Sequence, residues 1–137
     1  MEKVFGNSEI YYMEPETLAA LLRDPKEAAG VLVVDVRDSD LGPTMVAGTT
    51  VNVPARELTQ AALERALDCY GTAPADYRAV VVHCMFSQQR GPRAAKLIDT
   101  FYPARHFSLY VLAGGFSTWR ARYPDLLQPS KPFDGCC

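Results

Sequence analysis

The stretch Ala79-Val80-Val81-Val82-His83-Cys84-Met85-Phe86-Ser87-Gln88-Gln89-Arg90-Gly91-Pro92-Arg93 decides how this chain is read. Its first four residues are an unbroken apolar run with three β-branched valines, which fits a strand buried on both faces of a parallel sheet. Its last residues open a helix, because proline is tolerated in a first turn and Ala94, Ala95, Leu97 and Ile98, expected to pack inward, follow at helical spacing to about Phe101. Between them, five residues separate Cys84 from Arg90. A loop of that length wrapped around a helix N-terminus turns its backbone N–H groups toward one point. Such a point holds an oxyanion, and the same partial positive charge stabilises a cysteine thiolate. Arg90 closes the loop with a planar fork that can hold two oxygens of phosphate or arsenate, which a lysine cannot match. A cysteine after a buried strand can also be a plain core residue. The preceding histidine and the helix start behind the loop favour the chemical reading.

Outward from this stretch, strands and helices alternate. Pro15 starts a helix with Leu18, Leu21 and Leu22 on one side, ending near Asp24-Pro25. Val31-Leu32-Val33-Val34 is a second doubly buried strand, ending in Asp35. Val51-Asn52-Val53 is a shorter strand stopped by Pro54. A helix is expected from Glu57 to Asp68, burying Leu58, Ala62, Leu63, Ala66 and Leu67. Leu109 to Leu112 is a further strand, Gly114-Gly115 a turn, and Phe116 to Arg122 a short helix around Trp119, whose ring packs in the core with Phe116 and Tyr123. The residues from Gln128 to Cys137 read as an irregular tail. The expectation is one α/β domain over 1–137, a three-layer fold with a mainly parallel central sheet and helices on both faces. Ligands of such sheets bind beyond the carboxyl ends of the strands, which points to the loops after Asp35 and after His83.

Composition narrows the function. In 137 residues, 48% are hydrophobic and 22% charged, with a net charge of −2. No broad basic face is implied, so nucleic acid and acidic membrane surfaces are not expected partners. No apolar run has the length of a signal peptide core or a bilayer span. The expectation is a cytoplasmic protein, with the nucleus open to it as well, acting as a monomer or weak dimer. Cys69, Cys84, Cys136 and Cys137 form neither a disulfide framework nor a C-x-x-C motif, and only His83 and His106 accompany them, so no metal site is expected.

These motifs together resemble a known family. The loop is similar to H-C-x-F-S-x-x-R-G-P-R of the rhodanese-like dual-specificity phosphatases of the cell-division cycle, and to H-C-x5-R of the small eukaryotic arsenate/antimonate reductases. Val33-Val34-Asp35-Val36-Arg37-Asp38 resembles the rhodanese D-x-R strand end. Gly48 through Pro54 resembles its G-A-x-N-x-P element. Val111-Leu112-Ala113-Gly114-Gly115-Phe116 with Trp119 resembles its L-x-G-G-F-x-x-W signature. The resemblance implies a rhodanese fold, Cys84 and Arg90 as catalytic residues, and an anion cradle of Met85, Phe86, Ser87, Gln88, Gln89 and Arg90. The substrate implied is a small oxyanion (arsenate, phosphate) or a phosphorylated protein.

Departures from the pattern shift the expected reaction. Sulfurtransferases of this fold usually have a loop one residue shorter, so this wider cradle suits a tetrahedral anion better than a single sulfur. The cell-cycle phosphatases carry Glu directly after the cysteine and directly before the arginine, where this chain has Met85 and Gln89, and glutamine cannot donate a proton as an acid. Their resolving cysteine in the D-x-R element is replaced by Val36. The first expectation is therefore thiol-dependent reduction of arsenate or antimonate, with no bound cofactor and with glutathione or glutaredoxin as reductant. A tyrosine or dual-specificity phosphatase is the alternative, with Asp38 or Asp40 as its proton source unless both are simply solvated loop acids. A thiosulfate sulfurtransferase or sulfur carrier is the second alternative. His83 supports the loop from beneath, a role compatible with its tuning Cys84, and Asp35 with Arg37 forms a structural ion pair. Ser87 donates to the thiolate or caps the helix. Arg93 is a second anion contact or a solvated residue. Cys136 and Cys137 offer a resolving thiol, a prenylation site or an inert end.

Overall fold

A computed structural model describes residues 1–40, 42–45, 49–68 and 77–129. Five parallel strands form the central sheet: β1 (Ile10–Met13), β2 (Val31–Asp35), β4 (Thr49–Asn52), β5 (Ala79–His83) and β6 (Ser108–Leu112), in the order β1-β6-β5-β2-β4. Two-residue strands β3 (Thr44–Met45) and β7 (Leu127–Gln128) pair antiparallel beside it. Helices α1 (Pro15–Arg23), α2 (Pro25–Ala28), α3 (Gln60–Asp68), α4 (Arg90–Phe101) and α5 (Gly115–Arg122) connect the strands.

The three layers follow from strand alternation. In β2, Leu32 and Val34 face one core with Ala62 and Leu63 of α3 and Ala95 and Ile98 of α4. Val31 and Val33 face the other, with Leu18 of α1 and Phe116 and Trp119 of α5. Every residue of β2 and β5 is buried, as parallel strands covered on both sides require. The expected α/β fold is therefore the one found.

The topology fixes where a ligand can sit. The chain leaves β2 toward its neighbour β4 and leaves β5 toward its other neighbour β6. The loops after β2 and β5 thus run in opposite directions and open a crevice between the two strand ends, the position where such sheets bind ligands.

Several local expectations need correction. β1 has no counterpart in the sequence reading: a four-residue segment with half-buried tyrosines between two buried ends gives too short a pattern to declare itself. The helix expected from Glu57 begins at Gln60, after a 3-10 turn at Ala55–Glu57, because the Thr59 hydroxyl accepts the Ala62 N–H at 3.1 Å and caps it there. Leu58 consequently lies ahead of α3, half-buried against the core. Leu97 is half-buried rather than packed inward. Gln128 is ordered, not irregular: it pairs with Thr44 and its side-chain amide donates to the Met45 carbonyl at 3.2 Å. Cys69, Gly48 and 130–137, including Cys136 and Cys137, lie outside the described residues.

Candidate active site

β5 delivers Cys84 to the crevice floor. Its Sγ accepts the backbone N–H of Ser87 at 3.2 Å and of Gly91, in the first turn of α4, at 3.3 Å. The sulfur therefore lies where the loop amides and the helix N-terminus converge, which is the arrangement that stabilises an anion. To close this turn Ser87 adopts φ 55, the left-handed region that non-glycine side chains rarely enter. The Cys84 side and Ser87 are buried, Met85 and Arg90 are half-buried, and Phe86, Gln88 and Gln89 face solvent, Phe86 at 59% exposure. The Ser87 hydroxyl neither caps α4 nor donates to Cys84, contrary to both readings of it: it has no hydrogen-bond partner among the described residues, and the Ser87 backbone N–H is the group that reaches the sulfur. Arg93 is exposed.

The loop after β2 supplies the opposite wall. Arg90 extends its fork to Asp40, with Nη1 at 2.9 Å from Oδ1 and Nη2 at 2.7 Å from Oδ2, and approaches Asp38 at 3.5 Å. The hydrogen bonds from Arg90 outweigh partial burial and hold the Asp40 carboxyl down to about 2, so it is ionised at neutral pH in this arrangement. The same pairing raises the Arg90 guanidinium further above its ordinary value. Asp38 accepts the Arg56 backbone N–H at 3.1 Å, and its own N–H donates to Asp40 at 3.0 Å. Both aspartates thus stand beside Arg90, as carboxylates bonded to it or to its surroundings.

Beneath the loop lies a buried polar network. Arg37 Nε lies 3.0 Å from Asp35 Oδ1 and Nη2 lies 2.6 Å from Oδ2, with both side chains 1% exposed. Arg37 also donates to the Pro43 carbonyl at 2.9 Å and stacks over the Phe116 ring at 4.0 Å. Burial would raise the Asp35 carboxyl, but the facing His83 and Arg37 outweigh it and hold it below its usual value. The His83 ring is fully buried, 3.3 Å from the Cys84 carbonyl through Nδ1 and 3.9 Å from Asp35 through Nε2. Burial pushes its pKa down against the pull of Asp35. His83 carries the loop from below and lies on the protein side of Cys84, away from the crevice.

One support was not legible as such. Gly114 and Gly115 have φ 75 and 63, and a Cβ on Gly115 would lie 2.6 Å from the Met85 carbonyl oxygen and 2.8 Å from that of Cys84. Only glycine lets α5 come this close. The N–H groups of Phe116 and Ser117 then bind the Cys84 and Met85 carbonyls at 3.0 and 2.8 Å. The sequence signal was the glycine pair after a strand, which marks close backbone approach as well as a turn.

Among the described residues, no group of three or more His, Cys, Asp or Glu is placed to hold a metal, and no helix is long and apolar enough to cross a membrane. A cavity lined by Glu9, Tyr11, Arg105, Phe107 and Tyr110 lies at the amino ends of β1 and β6, away from all of these groups.

No family model matches the chain. Known proteins do. It is 34% identical over 135 residues to the CDC25-like phosphatase YCH1 of Saccharomyces cerevisiae, covering 90% of this chain and 84% of that one. It is 28% identical over 136 residues to the dual specificity phosphatase ibp1 of Schizosaccharomyces pombe, covering 85% and 92%. Among solved structures, the As-Sb reductase from Leishmania major superposes with a TM-score of 0.72 at 26% identity, over 86% of this chain and 84% of that one. Ygr203w, a yeast protein tyrosine phosphatase of the rhodanese family, does so with a TM-score of 0.72 at 29% identity, over 95% of each. With the parallel sheet, the Cys84-to-Arg90 loop at its carboxyl edge and these relatives in agreement, the chain belongs to the rhodanese-fold family of CDC25-like phosphatases and As-Sb reductases.

Proposed function

We propose that this chain is a cysteine-thiolate enzyme acting on a tetrahedral oxyanion, and that its first reaction is the reduction of arsenate, or antimonate, by thiols. The observation that carries the reading is the Cys84 sulfur bonded by two backbone N–H groups at a helix start, with Arg90 closing the same loop. Bound between the loop amides and the guanidinium, arsenate is attacked by the Cys84 thiolate. An S–As bond forms, one As–O bond breaks, and the oxygen departs as water after taking up a proton. A second thiol, glutathione or glutaredoxin, then attacks the Cys84 sulfur. The S–As pair stays on arsenic, which leaves as arsenite, while Cys84 is oxidised to a mixed disulfide that a further thiol reduces. Cys136 or Cys137 could serve as that thiol from within the chain.

Arsenate is favoured over phosphate esters because the site offers little acid. Met85 and Gln89 carry none, and Asp40 is an ionised partner of Arg90. An alkoxide leaving group needs a positioned proton donor, whereas arsenate needs less leaving-group help, because its departing hydroxyl can take the proton from solvent.

Phosphatase action is the second reading, supported by the names of YCH1 and ibp1. Here Cys84 would form a phosphocysteine that water hydrolyses, on a phosphorylated protein or a small aryl phosphate. Asp38 or Asp40 could supply the proton once released from Arg90. Parallel assays of arsenate with glutathione and glutaredoxin, of an aryl and an alkyl phosphate, and of thiosulfate decide among these. Arsenite release, with slow aryl and no alkyl phosphate turnover, is expected. Efficient alkyl phosphate turnover without arsenite release would replace the first reading with the second, and sulfur transfer alone would remove both.

A further inference from the structure

The Arg90 fork is already filled. Both Nη atoms that would bind two oxygens of a substrate bind the two oxygens of Asp40 instead, at 2.9 and 2.7 Å. A carboxylate and one face of a phosphate or arsenate present nearly the same pair of oxygens to a guanidinium. Asp40 is also held in place to do this. The Asp38 N–H donates to its Oδ1 at 3.0 Å, and Asp38 is itself fixed by the Arg56 backbone at 3.1 Å.

We propose that Asp40 is a resident competitor for the oxyanion seat, the internal anion that a substrate must displace from Arg90, and so the residue that sets the affinity threshold of the site. This rests on the oxyanion reading above and adds to it. The pair can exchange because its side chains are 32% and 33% exposed, so a freed Asp40 carboxylate meets water rather than apolar core. A ligand that needs Arg90 binds only the fraction of molecules in which the fork is free, and its apparent affinity falls by that fraction. Weak ambient anions are kept out, while a tetrahedral dianion that also takes the loop amides can evict the carboxylate.

Asp40→Asn tests this cleanly. The amide oxygen can still accept the Asp38 N–H, while the charge that grips Arg90 is gone. Inorganic phosphate is titrated into the full chain and followed by 31P NMR, for the wild type, Asp40→Asn, and Arg90→Ala, with melting curves confirming that each is folded. Asp40→Ser stands in should Asn impair folding. The half-saturating phosphate concentration is expected to fall about tenfold in Asp40→Asn. An unchanged or higher value overturns the proposal, a higher one meaning that Asp40 positions Arg90 for the ligand instead. The Arg90→Ala arm separates the two levels: phosphate bound there as well as in the wild type would sink the oxyanion reading itself.

Discussion

Two carboxylate–guanidinium pairs flank the end of β2, Asp35 with Arg37 and Asp40 with Arg90, and both are bidentate. They differ in their surroundings. The first pair is 1% exposed and shares its atoms with the Pro43 carbonyl, Thr44 and the Phe116 face. The second is about one-third exposed at the crevice. Bond geometry therefore does not separate scaffold from working part; access to water does. A buried charge cannot release its partner without standing unpaired in a poor dielectric, whereas an exposed one can trade its partner for solvent.

The largest expected effect is on the buried side. Arg37→Ala should cost about 3–5 kcal/mol of stability in urea unfolding, since it strands a buried carboxylate. A cost near that of a surface pair would break the comparison. Next, Arg90→Ala should lower oxyanion turnover by about 10²–10³-fold while changing stability by no more than about 1 kcal/mol. A loss of folding comparable to that of Arg37→Ala would make Arg90 scaffold too.

The pH dependence sharpens the same contrast. The His83 pKa is lowered in the folded chain, so below its unfolded value of about 6.5 the unfolded chain binds the extra proton. Stability should fall as pH drops through that window, and His83→Asn should flatten the decline measured between pH 8 and 5. The smallest effect belongs to Asp40. Its carboxyl is depressed to about 2, so its contribution is present above the unfolded value of about 3.9 and fades as pH falls toward 2. Because the pair is exposed and screened, Asp40→Asn at pH 7 should shift stability by less than about 1 kcal/mol.

Much of this was legible beforehand because it rests on short-range pattern. Runs of β-branched residues mark β2 and β5, and the residues from Ala79 to Pro92 mark a strand, an amide-lined loop and a helix start in order. What stayed hidden depends on contacts far apart in sequence. That Asp40 grips Arg90, fifty positions away, follows from the opposed directions of the loops after β2 and β5, which depends on strand order. The buttress under Cys84 from Gly115 and Phe116 likewise requires α5 to dock on the loop. β1 and the β3–β7 pair are not legible in the sequence because two to four residues carry too little periodicity to be told from loop.

The most direct measurement is a crystal structure of Cys84→Ser soaked with arsenate. The account predicts arsenate in the loop with arsenic facing the residue 84 hydroxyl, the Arg90 fork moved from Asp40 onto arsenate oxygens, and Arg37 still locked on Asp35. Arsenate bound elsewhere, or Arg90 still paired with Asp40 while the loop stands empty at saturating arsenate, would contradict it.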